Sequence, residues 1–119
     1  MSEAIKTHKD LRVWQESLKL AKEIYTITNS FPKEETYGLV SQMRRAAVSV
    51  ASNIAEGAAR ASNREFAQFL YIALGSLSEL DTQWLLAKEL EMTSSTPENS
   101  VDPIRKMLLG LIRSIKKSI

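Results

Sequence analysis

The chain has 119 residues, 44% of them hydrophobic and 25% charged, with 16 basic and 14 acidic side chains, one histidine and no cysteine. That length is ordinary for one domain burying its own core, and the near-average composition excludes fibrous and disordered classes. The lack of cysteine removes disulfides, thiol nucleophiles and cysteine metal sites, and it fits a reducing compartment.

The N-terminal run "MSEAIKTHKD" is polar and mixed in charge, with no apolar segment of the secretory type, and nowhere do eighteen apolar residues follow one another. These features predict a cytoplasmic location and no membrane partner. Three proline or polar clusters, "TNSFPKEE", "AARASNRE" and "EMTSSTPENSVDP", divide the chain into four segments. In the first, a helix over about 10–29, Leu11, Trp14, Leu18, Ala21 and Tyr25 alternate at three and four residues, which marks one helical face. The second, about 33–59, continues that spacing with Val40, Met43, Ala47, Val50, Ile54 and Gly57. The third, about 63–92, carries Phe66, Leu70, Ala73, Leu77, Leu80, Trp84 and Ala87, and opens on Ser62 followed by Glu65, a capping-box pair.

The fourth, about 97–117, carries Val101, Ile104, Leu108, Leu111 and Ile115. Thr96-Pro97-Glu98 and Asp102-Pro103 are alternative starts, so Pro103 predicts either a short first turn or a kink. A second apolar row, Leu109, Ile112 and Ile119, widens this helix beyond one seam and points to contact with another copy of the chain. Four long helices with short connections predict an all-α, antiparallel up-down-up-down four-helix bundle in one domain, 1–119.

The middle stretch "AAVSVASNIAEGAAR" sets Asn53, Glu56 and Gly57 among small residues. Close helix packing is the leading expectation for this thin surface, with a C-terminal cap at Gly57 as the alternative and a ligand site behind both. Gly75 falls under the same packing reading. Glu56 and Glu79 lie beside core rows, where Arg44, Arg45 or Arg60 would pair with them. Asn53, Glu56, Gly57, Gly75 and Glu79 are therefore expected to serve structure.

His8 has no second histidine beside it, no Glu-x-x-His pair exists, and no phosphate-binding glycine loop is present. No catalytic residue, cofactor or metal is expected, and the chain reads as a non-enzyme. Charge is unevenly distributed: residues 61–95 hold two basic and five acidic side chains, whereas 96–119 hold five basic and two acidic. Arg105, Lys106, Arg113, Lys116 and Lys117, joined by Arg44 and Arg45, form the candidate nucleic-acid-binding set. A solvated helix face is the competing reading, and salt bridges from Arg44 and Arg45 to Glu79 or Asp81 would remove those two.

The stretches "DLRVWQESLKLAKEIY", "FPKEETYGLVSQMRRAAVSVASNIAEGAAR" and "SNREFAQFLYIALGSLSELDTQ", with N-I-A-E-G and G-S-x-x-E-L blocks, resemble the bacterial four helix bundle family, also called the 23S rRNA intervening sequence protein family. The resemblance runs over roughly residues 10–90. It implies a small antiparallel bundle assembling as a ring or barrel, typically a pentamer. Some relatives are encoded within sequences interrupting 23S rRNA genes; the similar accessory variability proteins of diversity-generating retroelements bind nucleic acid and a reverse transcriptase. The resemblance brings no catalytic residues, and its arginine pair falls on Arg44 and Arg45. The expected function is a homo-oligomer associated with RNA or DNA through basic surfaces. The alternative is a scaffold that recruits a protein partner and leaves nucleic acid alone.

Overall fold

The four apolar stripes fold into four helices. In the computed structural model, which describes residues 7–119, a 3-10 turn at His8–Asp10 leads into α1 (Arg12–Thr28). A 3-10 turn at Lys33–Glu35 and a π-turn at Thr36–Val40 then feed α2 (Ser41–Ala58), followed by α3 (Asn63–Glu89) and α4 (Glu98–Lys116). No strand occurs among the described residues.

Local chemistry sets these boundaries. The Ser62 hydroxyl accepts the Glu65 amide at 3.2 Å and opens α3. Gly38, at φ −109° and ψ −110°, breaks the segment before α2, so the regular helix begins at Ser41 rather than near residue 33. At the fourth segment the choice resolves to Pro97: α4 starts at Glu98 and carries Pro103 within it. Pro103 lies in the second turn on the exposed side, and the bond it forgoes would end on the Asn99 carbonyl, also in an exposed residue.

Contacts between helices fix the topology. Arg44, near the start of α2, reaches Thr28 at the end of α1. Ser49 meets Ser76, while Gly57 faces Phe66 and Phe69, so α2 and α3 are antiparallel. Asp81 meets Arg105, and Tyr71 meets Lys116, so α3 and α4 are antiparallel as well. α1 also touches α4, which closes a bundle of 50 × 23 × 20 Å. Its core is built from Ile24, Met43, Val50, Ile54, Leu70, Leu77, Leu80, Trp84 and Leu108, all fully buried.

Gly57 is a packing position. A Cβ there would lie 2.7 Å from the Phe69 Cβ and 3.2 Å from the Phe66 carbonyl oxygen. No glycine among the described residues has positive φ, so the alternative of a glycine cap does not apply. Gly75 differs, since a Cβ there would meet nothing within 4 Å, and packing inside the chain does not explain it.

Two expected stripes need correction. On α1 the buried ridge is Val13, Ser17, Leu20, Ala21, Ile24 and Thr28, whereas Leu18 is 50% and Tyr25 45% exposed. The apolar pattern misleads because two core positions carry hydroxyls. Ser17 donates to the Val13 carbonyl and Thr28 to the Ile24 carbonyl, both at 2.7 Å, so neither reaches the core with an unmet polar group. On α4 the two apolar rows divide: Ile112 is buried and Leu111 partly so, while Leu109 and Ile119 are exposed.

Candidate nucleic-acid interface

The seven cations expected to bind nucleic acid occupy different environments. Arg44 donates through Nε to the Thr28 hydroxyl at 3.0 Å and through Nη2 to Asn29 Oδ1 at 3.2 Å, with its guanidinium 4.4 Å above the Tyr25 ring. It braces the α1 C-terminus. Arg105 bridges α4 to itself and to α3, at 2.9 Å from Asp102 and 3.5 Å from Asp81. Glu79, expected to pair with Arg44, Arg45 or Arg60, accepts the Gln83 amide instead at 3.2 Å, and Asp81 takes Arg105 rather than Arg44 or Arg45.

Arg45 and Lys106 are exposed. Arg113, Lys116 and Lys117 do come together, and with Tyr71, Leu109 and Ile112 they line an open groove of about 400 Å³. Lys116 Nζ donates to the Tyr71 hydroxyl at 3.3 Å and lies 5.6 Å from its ring centroid. An exposed aromatic ring among three cations offers a stacking surface beside phosphate-binding charge.

The antiparallel topology adds cations that linear reading does not collect. The α1 N-terminus, α2 C-terminus, α3 N-terminus and α4 C-terminus share one end of the bundle, which gathers Lys9, Arg12, Arg60 and Arg64 with Arg113, Lys116 and Lys117. The acids described there are Asp10, Glu56 and Glu65. Arg60 pairs with Glu56 at 3.7 Å and covers the Phe69 ring at 4.6 Å. At the opposite end Glu34, Glu35, Glu89, Glu91 and Glu98 outnumber Lys33, Arg44 and Lys88. The carboxyl of Glu98 is held below the usual range, first by a Thr96 side-chain hydrogen bond, then by its own backbone N–H, with Lys88 assisting. Each end combines two helix N-termini with two C-termini, so helix dipoles largely cancel and side chains set the polarity.

Of the residues expected to be structural, Asn53 and Gly57 lie along the α2–α3 seam, whereas Glu56, Gly75 and Glu79 are exposed. Asn53 donates through Nδ2 to the Ser49 carbonyl at 2.8 Å and to its hydroxyl at 3.0 Å, and the Ser49 and Ser76 hydroxyls lie 2.9 Å apart. This network ties α2 to α3. His8 packs edge-on against Trp14, with ring centroids 4.9 Å apart. No three His, Cys, Asp or Glu side chains among the described residues group as a metal site requires, and no helix there is long and apolar enough to cross a membrane.

Fold and surface define a small all-α bundle with one basic and one acidic end. The family model for the 23S rRNA-intervening sequence protein matches residues 9–115, and the chain belongs to that family. No curated protein matches it.

Proposed function

We propose that this protein is a non-enzymatic, self-associating bundle that holds nucleic acid through phosphate contacts at its basic end. The observation that carries the reading is the gathering at one end of the bundle of seven Lys and Arg residues from the helix termini and their flanking turns, against three acids, with Arg113, Lys116 and Lys117 lining one groove with the exposed Tyr71. Such a surface recognises a phosphate backbone through counterion release and supplies one ring for base stacking, without reading a defined sequence. Repetition around an oligomer multiplies the contact. The five-subunit ring implied by the family resemblance is the expected assembly, working in a reducing cytoplasm.

Fluorescence anisotropy with a structured RNA and a DNA duplex, repeated over a salt series, tests this. Affinity should fall linearly on a log–log plot, by about 0.9 per neutralised phosphate for the duplex. Absence of binding at low salt, or affinity indifferent to salt, rejects the reading. The exposed Leu18 and Tyr25, with the half-buried Trp14 beside them, favour a second reading, in which the bundle recruits a protein partner and ignores nucleic acid. Capture of a purified partner that survives charge reversal at Arg64 and Lys117 would distinguish it.

A further inference from the structure

Among the apolar residues left exposed, two stripes differ in electrostatic character. On α1, Trp14, Leu18 and Tyr25 line an open groove of about 560 Å³, flanked by Lys19 and Lys22. A second groove continues from Tyr25 to Tyr37 and Val48, flanked by Arg44 and Arg45. No carboxylate lines either one. On α3, Ile72, Glu79 and Leu86 recur every seven residues along one outward line, with Ile72 51% and Leu86 48% exposed. From residue 65 to 87 this helix has no Lys or Arg, and of its three acids Glu65 sits in the Ser62 cap and Asp81 is bridged to Arg105, which leaves Glu79 as the carboxylate on this line. Gly75 stands between Ile72 and Glu79 with its backbone open, although a helix-interior glycine costs about 1 kcal/mol relative to alanine.

We infer that the Trp14–Leu18–Tyr25 stripe of one copy docks against the Ile72–Gly75–Leu86 stripe of a second copy, head to tail. The inference rests on the self-associating part of the proposed function and assigns its surfaces. Both halves of a complementary pair, cationic-apolar and anionic-apolar, are carried by the same chain, so a second copy supplies what each stripe lacks. Pairing like with like would set Lys22 against Lys22 or Glu79 against Glu79, which disfavours a two-fold dimer.

The heights agree as well. α1 and α3 run in the same direction, and their relative height is pinned by Arg44 on Thr28 and by Ser49 on Ser76. Counting from those pins at about 1.5 Å per residue, Leu18 falls within one turn of the height of Ile72, and Tyr25 within one turn of Glu79. Leu86, seven residues further along α3, lies beyond the level of Tyr25 and within one turn of that of Val40, in the groove that runs on to Tyr37, so copies standing side by side with parallel axes meet along both grooves without sliding. A heterologous contact of this kind propagates around an axis and closes as a ring. Gly75 then admits a neighbouring side chain against its backbone.

Light scattering on purified protein tests this through Leu18→Asp and Leu86→Asp, with circular dichroism reporting the fold. Both side chains are about half exposed in the single chain, so helicity should persist. Wild type should exceed the monomer mass of 13.4 kDa, each variant should be monomeric, and an equal mixture should yield a two-chain species through the one intact face of each. A variant that keeps the wild-type mass, dimerises by itself, or fails to pair in the mixture overturns the face assignment. A monomeric wild type overturns the self-association reading with it. Should an aspartate variant lose its fold, charge exchange decides: Lys22→Glu and Glu79→Lys should each raise the concentration for half-dissociation severalfold, and the double variant should restore it. Lack of restoration rejects the pairing.

Discussion

The Arg44 guanidinium donates to the Thr28 hydroxyl at 3.0 Å, and Thr28 in turn donates to the Ile24 carbonyl at 2.7 Å. This chain of bonds anchors the last turn of α1 to the first turn of α2, while the aliphatic stem and guanidinium cover Tyr25. Hydrogen bonds from a charged donor contribute about 1.5–3 kcal/mol when buried, and the half-exposed position of Arg44 reduces that. Arg44→Ala should therefore lower unfolding stability by about 1–2 kcal/mol, read as a shift in the urea midpoint. The salt slope of nucleic-acid binding should stay at its wild-type value. A slope smaller by one phosphate's worth, with unchanged stability, would reverse the assignment and make Arg44 a phosphate ligand.

The glycines make opposite predictions. At Gly57 even one methyl group would press on the Phe69 Cβ at 2.7 Å and on the Phe66 backbone oxygen at 3.2 Å, so α2 and α3 must part. Overpacking of this kind costs about 1–3 kcal/mol for Gly57→Ala, and Gly57→Leu should prevent stable folding. At Gly110 a Cβ meets nothing within 4 Å, so Gly110→Ala should stabilise the helix by up to about 1 kcal/mol. Thermal melts of the two alanine variants should move in opposite directions. If both rise, the close approach of α3 to Gly57 is wrong.

The bundle was legible in the chain because the three-four alternation of α2 and α3 coincides with their buried faces, from Met43 to Gly57 and from Leu70 to Ala87. α1 was legible as a helix but not in its orientation. Ser17 and Thr28 occupy core positions by bonding their own backbone, and Leu18 and Tyr25 supply a false ridge on the outside. The Arg113–Lys116–Lys117 part of the candidate site could be read from the acid-free end of α4. Lys9, Arg12, Arg60 and Arg64 are scattered singly in sequence and join that cluster only once the antiparallel order puts four helix termini at one end. Arg44 looks like a free cation in sequence because its Thr28 partner lies 16 residues away, whereas one of the two partners of Arg105, Asp102, stands three residues before it and the other, Asp81, 24 residues away.

Reversing charge at the basic end should weaken nucleic-acid binding, whereas the same change at the acidic end should not. Arg64→Glu combined with Lys117→Glu alters two exposed side chains that hold no helix pair together. RNA affinity should drop at least about tenfold, and the log–log salt slope should shrink by about 0.7–0.9 for each phosphate no longer neutralised. Lys33→Glu, at the acidic end, is the control and should leave both quantities unchanged. Equal losses from all three substitutions would mean that net charge alone drives binding.

Acid should loosen the start of α4. Because the folded-state pKa of Glu98 is depressed by the Thr96 hydrogen bond and by its own backbone N–H, its contribution is present above the unfolded value and fades as pH falls through the folded one. Glu98→Gln should therefore flatten the acid limb of a stability-against-pH curve and leave the neutral-to-alkaline limb parallel to wild type. Steepening of the acid limb in the variant would contradict the sign.

α3 ends with Glu91 at φ 61°, a left-handed position that favours glycine. The motif is complete: the Glu91 amide donates to the Lys88 carbonyl and the Met92 amide to the Ala87 carbonyl, both at 2.9 Å, while Met92 folds back against the core. The bonds hold the backbone there although the Cβ of a non-glycine residue costs about 1 kcal/mol. Glu91→Gly removes that cost at the expense of some unfolded-state entropy, for a net gain of about 0.5–1 kcal/mol and a rise of about 2–4 °C in Tm. Glu91→Val, branched at the carbon that suffers most, should lower Tm. Measured together by thermal melt, the pair isolates backbone strain from loss of the carboxylate, since both variants remove the charge and only one removes the Cβ. Two shifts of the same sign would trace the effect to the charge and not to the turn.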